Sequence, residues 1–183
     1  SPYAMTNNLL HYSRLQLNKF DFMPETILLG ELIHSAIDLL KFKIRKKDIL
    51  VKAEVNKEYK IVGDIEMLRI TFENLISNSI KYSKNGSVVK IFAEDITSES
   101  GDQSALQISI TDEGVGINEE NQRKIMIGEM FSTPGTNKEP GSGLGLLLAR
   151  KYISLNRGKF EIISKDGEGV TLLITFPALK TDY

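Results

Sequence analysis

The sequence contains no cysteine and only two histidines among its 183 residues. Without cysteine it can form neither a disulfide framework nor a thiolate metal site, and a reducing compartment fits this composition. No apolar run approaches the roughly 20 residues that a membrane-spanning helix needs, and no signal peptide is visible. Lysine and arginine number 23 against 24 acidic residues. This balance argues against the basic surface that is typical of nucleic-acid-binding proteins.

The length and composition predict one globular domain of about 150 residues with a small extension. Hydrophobic residues make up 41% of the chain, enough for a packed core. Residues 1–4 precede Met5 and are compatible with a remnant of cloning.

The apolar patterns predict helices and strands that alternate along the chain. Helices are expected at 5–19, 28–46, 64–82, 118–124 and 144–155, and strands at 20–24, 50–55, 87–95, 106–111, 159–164 and 170–176. Residues 127–141 are rich in glycine and proline, which predicts a mobile loop. We therefore expect an α+β fold, a two-layer α/β sandwich whose mixed sheet is covered on one face by about three helices, with a short N-terminal helix.

Two of these helices show a clear buried face. In the helix at 28–46 this face includes Leu39 and Leu40. The helix at 64–82 begins with Asp64 as its expected N-cap, and its buried stripe is formed by Ile65, Leu68, Phe72, Leu75 and Ile76.

Four polar residues lie on one face of the helix at 64–82. Asn74 and Asn78 are four residues apart, and Lys81 and Tyr82 follow one turn later, so these side chains point away from the apolar stripe. Amide oxygens suit a hard cation such as Mg²⁺, which shares its ligands with phosphates. Lys81 supplies a positive charge and Tyr82 an aromatic wall. A solvated helix face is the alternative for this cluster alone.

Asp112 ends an apolar strand and is followed by Gly114 and Gly116. A carboxylate in this place can accept a hydrogen bond from the exocyclic amine of adenine, and the glycines permit a flat ring to approach closely. Guanine presents a carbonyl there and is disfavoured. An ordinary Asp-x-Gly turn is the alternative.

Gly141, Gly143 and Gly145 surround the start of the helix at 144–155. Free amide donors and the positive end of the helix dipole make such a start an anion site. It is not a P-loop, because no Lys-Ser or Lys-Thr follows, and it lacks the strand and glycine spacing of a dinucleotide fingerprint. A glycine-rich helix start without a ligand is the alternative.

Taken together and in this order, the clusters resemble the ATP-binding catalytic domain of sensor histidine kinases, within the gyrase, chaperone, kinase and MutL-type ATPase superfamily. Residues 74–83 resemble the N box, residues 112–116 the first glycine box, Phe131 the F box and residues 141–146 the second glycine box. The resemblance covers about residues 9–177 and implies a Bergerat-type ATP-binding fold.

The resemblance also implies a role for each motif, with ATP and Mg²⁺ as the bound pair. Asn78 would hold Mg²⁺, and Asn74 and Lys81 would lie near the phosphates, so these three form the expected catalytic set. Asp112 would bind adenine. Phe131 would anchor a lid, and Lys138 is the candidate lid cation. The other expected nucleotide contacts are Tyr82, Gly114, Gly116, Gly141, Gly143, Leu144, Gly145 and Thr171.

A division of the chain and a set of partners follow from the same resemblance. Residues 5–20 would end a dimerisation helix and its linker, and residues 21–180 would form the catalytic domain. The implied activity is that of a protein histidine kinase, with the phosphoacceptor histidine on a separate dimerisation domain absent from this chain. A response regulator or receiver domain, a homodimer of the full-length protein and a cytoplasmic location are also expected. No nucleic-acid partner is expected and no membrane segment in this chain, although the parent protein could be membrane-bound.

The chain departs from the family pattern at several residues. His11 and His34 lack the acidic neighbour of a phosphoacceptor, and we expect both on helix surfaces. Gly128 replaces an aromatic of the F box, which is expected to loosen lid packing. Val170 stands where the family has threonine, so the adenine-side hydroxyl is either lost or supplied by Thr171.

Other functions stay open at this point. A hydrolytic ATPase of the superfamily would carry a glutamate in place of Asn74, and Glu73 lies about 100° round the helix from it. A serine kinase is a further relative, disfavoured by the N-terminal helix. A degenerate domain that serves as an interaction scaffold would be consistent with Gly128 and Val170.

Overall fold

The computed structural model describes residues 2–17, 20–97, 104–130, 132–139, 141–177 and 179. The helices are α1 (Pro2–Gln16), α2 (Leu29–Leu39), α3 (Lys41–Lys46), α4 (Ile65–Tyr82), α5 (Glu119–Ile127) and α6 (Leu144–Leu155). The strands are β1 (Pro24–Leu28), β2 (Leu50–Glu54), β3 (Lys60–Asp64), β4 (Val88–Thr97), β5 (Ser104–Asp112), β6 (Lys159–Ser164) and β7 (Val170–Pro177).

The main sheet has five strands in the order β2-β4-β5-β7-β6. Strand β2 runs parallel to β4, and the other neighbours are antiparallel, so the sheet is mixed. A separate antiparallel pair joins β1 to β3. Within the described ranges, no helix has both the length and the apolar character needed to cross a membrane.

The core lies between one face of this sheet and helices α2, α4 and α6. Alternate residues of β5 and β7 point into it, which is the two-residue period of a half-buried strand. Strand β5 contributes Ile108 and Ile110, and α4 contributes Phe72 and Leu75, all with no exposed surface. The predicted α+β sandwich with a mixed sheet is therefore confirmed.

Helix α1 packs on α4 and α6 through a smaller apolar cluster. Leu15 lies there with Ile70 and Leu148. His11 is also buried between the helices, and its Nδ1 lies 3.1 Å from Tyr152 Oη. The prediction that His11 is a surface residue is wrong, because this side of α1 is covered by α6. His34 is exposed, as expected.

Some predicted boundaries differ from the structure. The first strand lies at Pro24–Leu28 rather than at 20–24, and its partner β3 was not predicted. The helix at 28–46 is divided at Leu40, whose N–H bonds to the Ile37 carbonyl three residues back and so tightens the turn. Leu39 is consequently 65% exposed rather than in the core. Ile65 is also exposed, because it is the first residue of α4.

Candidate functional site

Helix α4 forms one wall of the candidate site. Its start is fixed as expected by Asp64, whose carboxylate accepts a 3.0 Å hydrogen bond from the Met67 N–H. The apolar stripe points into the core, which leaves the face bearing Asn78 and Lys81 half-buried. Within the part of the chain that the structure describes, no hydrogen bond engages the Asn78 amide. This amide is therefore available to an external ligand.

Lys81 and Tyr82, at the end of α4, hold the loop that precedes α6. Lys81 Nζ donates to Tyr82 Oη at 3.0 Å and to the Thr133 carbonyl at 3.2 Å. Tyr82 Oη donates to the same carbonyl at 2.9 Å. The ammonium also lies 4.6 Å from the centre of the Tyr82 ring, a favourable cation–π distance. The predicted phosphate cation is thus already in contact with the predicted lid.

The glycine-rich start of α6 packs directly against the polar face of α4. A Cβ at Gly141 would lie 2.6 Å from Lys81 Nζ, and a Cβ at Gly145 would lie 2.8 Å from Asn74 Oδ1. A side chain at either position would have to displace these polar groups, so glycine permits the closest approach. Gly143 caps the helix in a left-handed conformation, with φ of 71°, and Leu144 is buried. The amides of this helix start therefore lie beside the asparagine and lysine side chains, and that of Leu144 donates to Ser142 Oγ at 3.3 Å.

Asp112 ends β5 and is only 4% exposed. Its Oδ1 accepts a 2.9 Å hydrogen bond from the Gly114 N–H. Burial raises the pKa of Asp112 to about 6, although the hydrogen bond from Gly114 and the nearby Ser79 hydroxyl and Val170 N–H oppose this rise. A carboxylate desolvated in this way binds a donor strongly. Gly114 also forms a bridge with Ser83, which brings Asp112 to the end of α4.

Thr171 does not lie on the side of the sheet that carries the Asp112 side chain. The register pairs Asp112 with Val170 and Thr111 with Thr171. The two threonine hydroxyls are 3.0 Å apart on the opposite face. The expectation that Thr171 supplies the adenine-side hydroxyl is therefore wrong, because adjacent strand residues face opposite ways. Ser79 has a buried hydroxyl near the Asp112 carboxyl group. The sequence analysis did not select this residue.

The remaining residues selected from the sequence have no hydrogen bond with Asn78, Lys81 or Asp112 among the described residues. Phe131 lies outside the described residues. Lys138 is exposed in a turn with φ of 60°, and Gly116, with φ of 73°, lies beyond Gly114. Gly128 ends α5 in the left-handed conformation, with φ of 84°. This cap explains the glycine at that position by backbone geometry.

Sequence reasoning missed two residues that contact the site. Asn8 of α1 donates a 2.9 Å hydrogen bond to Asn74 Oδ1, so Asn74 is engaged by α1. Lys47, after α3, is only 3% exposed, and its Nζ lies 3.4 Å from Glu139 Oε1. Lys47 follows Arg45 and Lys46, and a short basic run normally predicts a solvated surface. No sequence signal identified either residue.

A sheet faced by an asparagine-bearing helix and a glycine-rich helix start defines a nucleotide-binding domain. The family described as "Histidine kinase-, DNA gyrase B-, and HSP90-like ATPase" matches residues 63–180. This chain belongs to that family, which confirms the resemblance found in its motifs.

The chain is similar to parts of several longer proteins. It is 30% identical to the sensor-like histidine kinase SenX3 of Mycobacterium tuberculosis over 187 residues, covering 98% of this chain and 42% of the relative. It is 26% identical to the non-motile and phage-resistance protein of Caulobacter vibrioides, covering 98% of this chain and 21% of that protein. The chain thus spans less than half the length of these relatives.

Solved structures show the same fold. The catalytic domain of histidine kinase ThkA is 28% identical, with a TM-score of 0.69, and the match covers 87% of this chain and 97% of that one. A second structure shows ThkA in complex with the response regulator protein TrrA, with 22% identity and a TM-score of 0.72, covering 100% of this chain and 50% of that one.

Proposed function

We propose that this chain is the ATP-binding catalytic domain of a two-component sensor histidine kinase, which transfers the γ-phosphoryl group of ATP to a histidine on a separate domain. The observation that carries this proposal is the packing of the α6 start on the polar face of α4. At Gly141 and Gly145 the lack of a side chain lets the backbone approach Lys81 and Asn74 closely. Such a junction collects donors for a polyphosphate.

Each end of the nucleotide has a matching group. Asp112 would accept a hydrogen bond from the exocyclic amine of adenine, as an ionised carboxylate above its raised pKa of about 6. Lys81 and the amides after Gly143 would contact the phosphates. Asn78 would hold Mg²⁺, because its amide makes no hydrogen bond with any described residue and Mg²⁺ accepts amide oxygens together with phosphates. The ion would neutralise charge on the transferred group.

A histidine side chain is a sufficient nucleophile without a strong base, so the domain mainly has to position groups and neutralise charge. The structure favours this chemistry over water activation. Glu73 Oε1 is 2.6 Å from Arg69 Nη1, and the position of the hydrolytic glutamate is held by Asn74, which bonds to Asn8. An ion-paired Glu73 is poorly suited to act as a base.

The partners follow from the same proposal. His11 is buried and lies within hydrogen-bonding distance of Tyr152, which makes it a poor phosphoacceptor. The acceptor would therefore be a histidine of a dimerisation domain, and a homodimer of the full protein would present it. The phosphoryl group would then pass to a response regulator, the kind of partner with which ThkA forms a complex. Because ATP is the substrate, this domain would work in the cytoplasm.

Calorimetric titration of ATP tests this function directly. We expect saturable binding with Mg²⁺, weakened at least tenfold by a chelator because Asn78 would hold the ion that neutralises the phosphates. Asn78→Ala and Asp112→Asn should abolish binding, whereas Asn56→Ala and Asp95→Asn, at exposed positions, should not. A purified dimerisation domain with its histidine should then become phosphorylated on mixing. The absence of ATP binding by the folded wild-type chain would refute the proposal and favour the scaffold alternative.

A further inference from the structure

A buried lysine connects the end of α4 to the loop before α6. Lys47 Nζ donates to the carbonyls of Ile80 and Lys81 at 2.9 and 2.7 Å, and to Thr136 Oγ1 at 2.6 Å. Glu139 Oε1 lies 3.4 Å from the same nitrogen. With only 3% of the residue exposed, these groups replace the hydration of the ammonium.

The Lys47 ammonium has an oxygen partner for each of its hydrogen-bond donors. An ammonium has three N–H donors, and here each has a short contact with an oxygen. The two carbonyls belong to the last turn of α4, where they have no helical partner, and a cation is favoured at this end of the helix dipole. Glu139 balances the charge. Removing the ammonium would leave the Ile80 carbonyl without its donor and the Glu139 carboxylate without its positive charge.

The cluster fixes residues 135–139 on α4. The Thr136 N–H bonds to the Lys81 carbonyl at 3.2 Å, and its hydroxyl bonds to the Ser83 carbonyl at 2.7 Å. Glu139 Oε2 accepts the Asn137 N–H at 2.9 Å, and the Glu139 carbonyl accepts the Gly135 N–H at 2.9 Å. These bonds close residues 135–139 into a turn. The turn and the helix end therefore share Lys47 as a common partner.

The loop has a second attachment of a different kind. Its Thr133 carbonyl is held by Lys81 Nζ and Tyr82 Oη. The proposed function assigns Lys81 to the phosphates, so this ammonium would change partners when phosphates arrive. Lys47 has no such assignment and is enclosed by protein atoms. Only the attachment at Thr133 has to release on binding.

We propose that Lys47 is a positioning residue that fixes one end of the loop at Thr136 and Glu139, so that the Thr133 end closes over bound nucleotide and slows its dissociation. This proposal rests on the proposed function for its nucleotide part. The anchoring itself is a property of the nucleotide-free chain, and the two parts can be measured separately.

Hydrogen exchange of the nucleotide-free chain measures the anchor. In Lys47→Met, which keeps the length of the side chain, the amides of residues 135–138 should exchange about tenfold faster or more, because a buried charged hydrogen-bond set is lost. Lys46→Met, at the exposed neighbour, should match the wild type. Thr136→Val, which removes one hydroxyl in the loop and spares the core, should show the same change to a smaller degree. Unchanged exchange in both Lys47→Met and Thr136→Val would overturn the proposal.

Stopped-flow release of a fluorescent ATP analogue measures the consequence. We expect Lys47→Met and Thr136→Val to release it about tenfold faster, with little change in the association rate, since affinity changes lie mostly in dissociation. Faster exchange with an unchanged release rate would overturn the positioning role. If the wild-type chain binds no nucleotide, the proposed function fails, and the exchange experiment alone decides whether Lys47 anchors the loop. A chemical unfolding curve for each variant confirms that it is folded.

Discussion

The buried carboxyl group of Asp112 makes the stability of this domain depend on pH in a way that an asparagine would remove. The side chain is only 4% exposed, and burial raises its pKa from 3.8 to about 6. We expect Asp112→Asn to stabilise the domain relative to the wild type as the pH rises, while it abolishes ATP binding. The carboxylate would then be a residue that function requires and stability does not.

The direction of this pH dependence follows from proton linkage. The folded state binds the Asp112 proton more tightly than the unfolded state, so the wild type loses stability as the pH rises through the window from 3.8 to about 6. Above this window the full penalty is about 3 kcal/mol, at about 1.4 kcal/mol per pKa unit. Between pH 4.5 and pH 7.5 the same linkage gives a change of about 2 kcal/mol.

Urea denaturation at these two pH values measures the effect. The free energy of unfolding of Asp112→Asn minus that of the wild type should increase by about 2 kcal/mol from pH 4.5 to pH 7.5. Any structural cost of the amide is present at both values and cancels in this difference. Asp95→Asn, an exposed position on β4, is the matched control and should show no such increase.

A difference that stays constant with pH would refute the reasoning. It would mean that Asp112 ionises in the folded domain without a desolvation penalty. The carboxylate would then be hydrated, and it would not be poised to bind a single donor from the base.

Two further predictions concern the contacts of Asn74. Gly145→Ala places a methyl group 2.8 Å from Asn74 Oδ1, so we expect a loss of about 1–3 kcal/mol in urea denaturation and a loss of ATP binding by calorimetry. An unchanged affinity would show that the α6 start is not part of the site. Asn8→Ala removes the hydrogen bond to Asn74 and should cost about 1 kcal/mol of stability without weakening ATP binding. A weaker affinity would indicate that α1 supports the site.

Much of the fold could be predicted because several elements carry independent signals that agree. Helix α4 has a cap at Asp64 and an apolar stripe through Phe72 and Leu75. It begins one residue later than predicted and ends at the predicted residue. Strands β5 and β7 alternate between buried and half-buried residues along their length. The β1–β3 pair lacked such a signal, since only Ile27 is buried in β1 and only five residues form each strand.

The site was harder to predict where a role depends on register or on contacts distant in sequence. Whether Thr171 faces Asp112 is decided by strand pairing, and the sequence left that choice open. Lys47 contacts Thr136, 89 residues away, and nothing local distinguishes it from the exposed Lys46. Motifs on one element were therefore visible in the sequence, whereas side chains that connect elements required the structure.

The two attachments of the loop before α6 imply an order of events on nucleotide binding. Lys81 donates to the neutral Thr133 carbonyl, whereas phosphate oxygens are negatively charged and attract the ammonium more strongly. The exchange of partners therefore favours phosphate, and it frees the Thr133 end of the loop. Lys47 is buried, and its oxygen partners are not assigned to the nucleotide, so it would keep them when nucleotide binds. The freed Thr133 end would then move about a fixed point at Thr136 and close over the nucleotide, because the charge that holds the Thr136 end has no competing ligand.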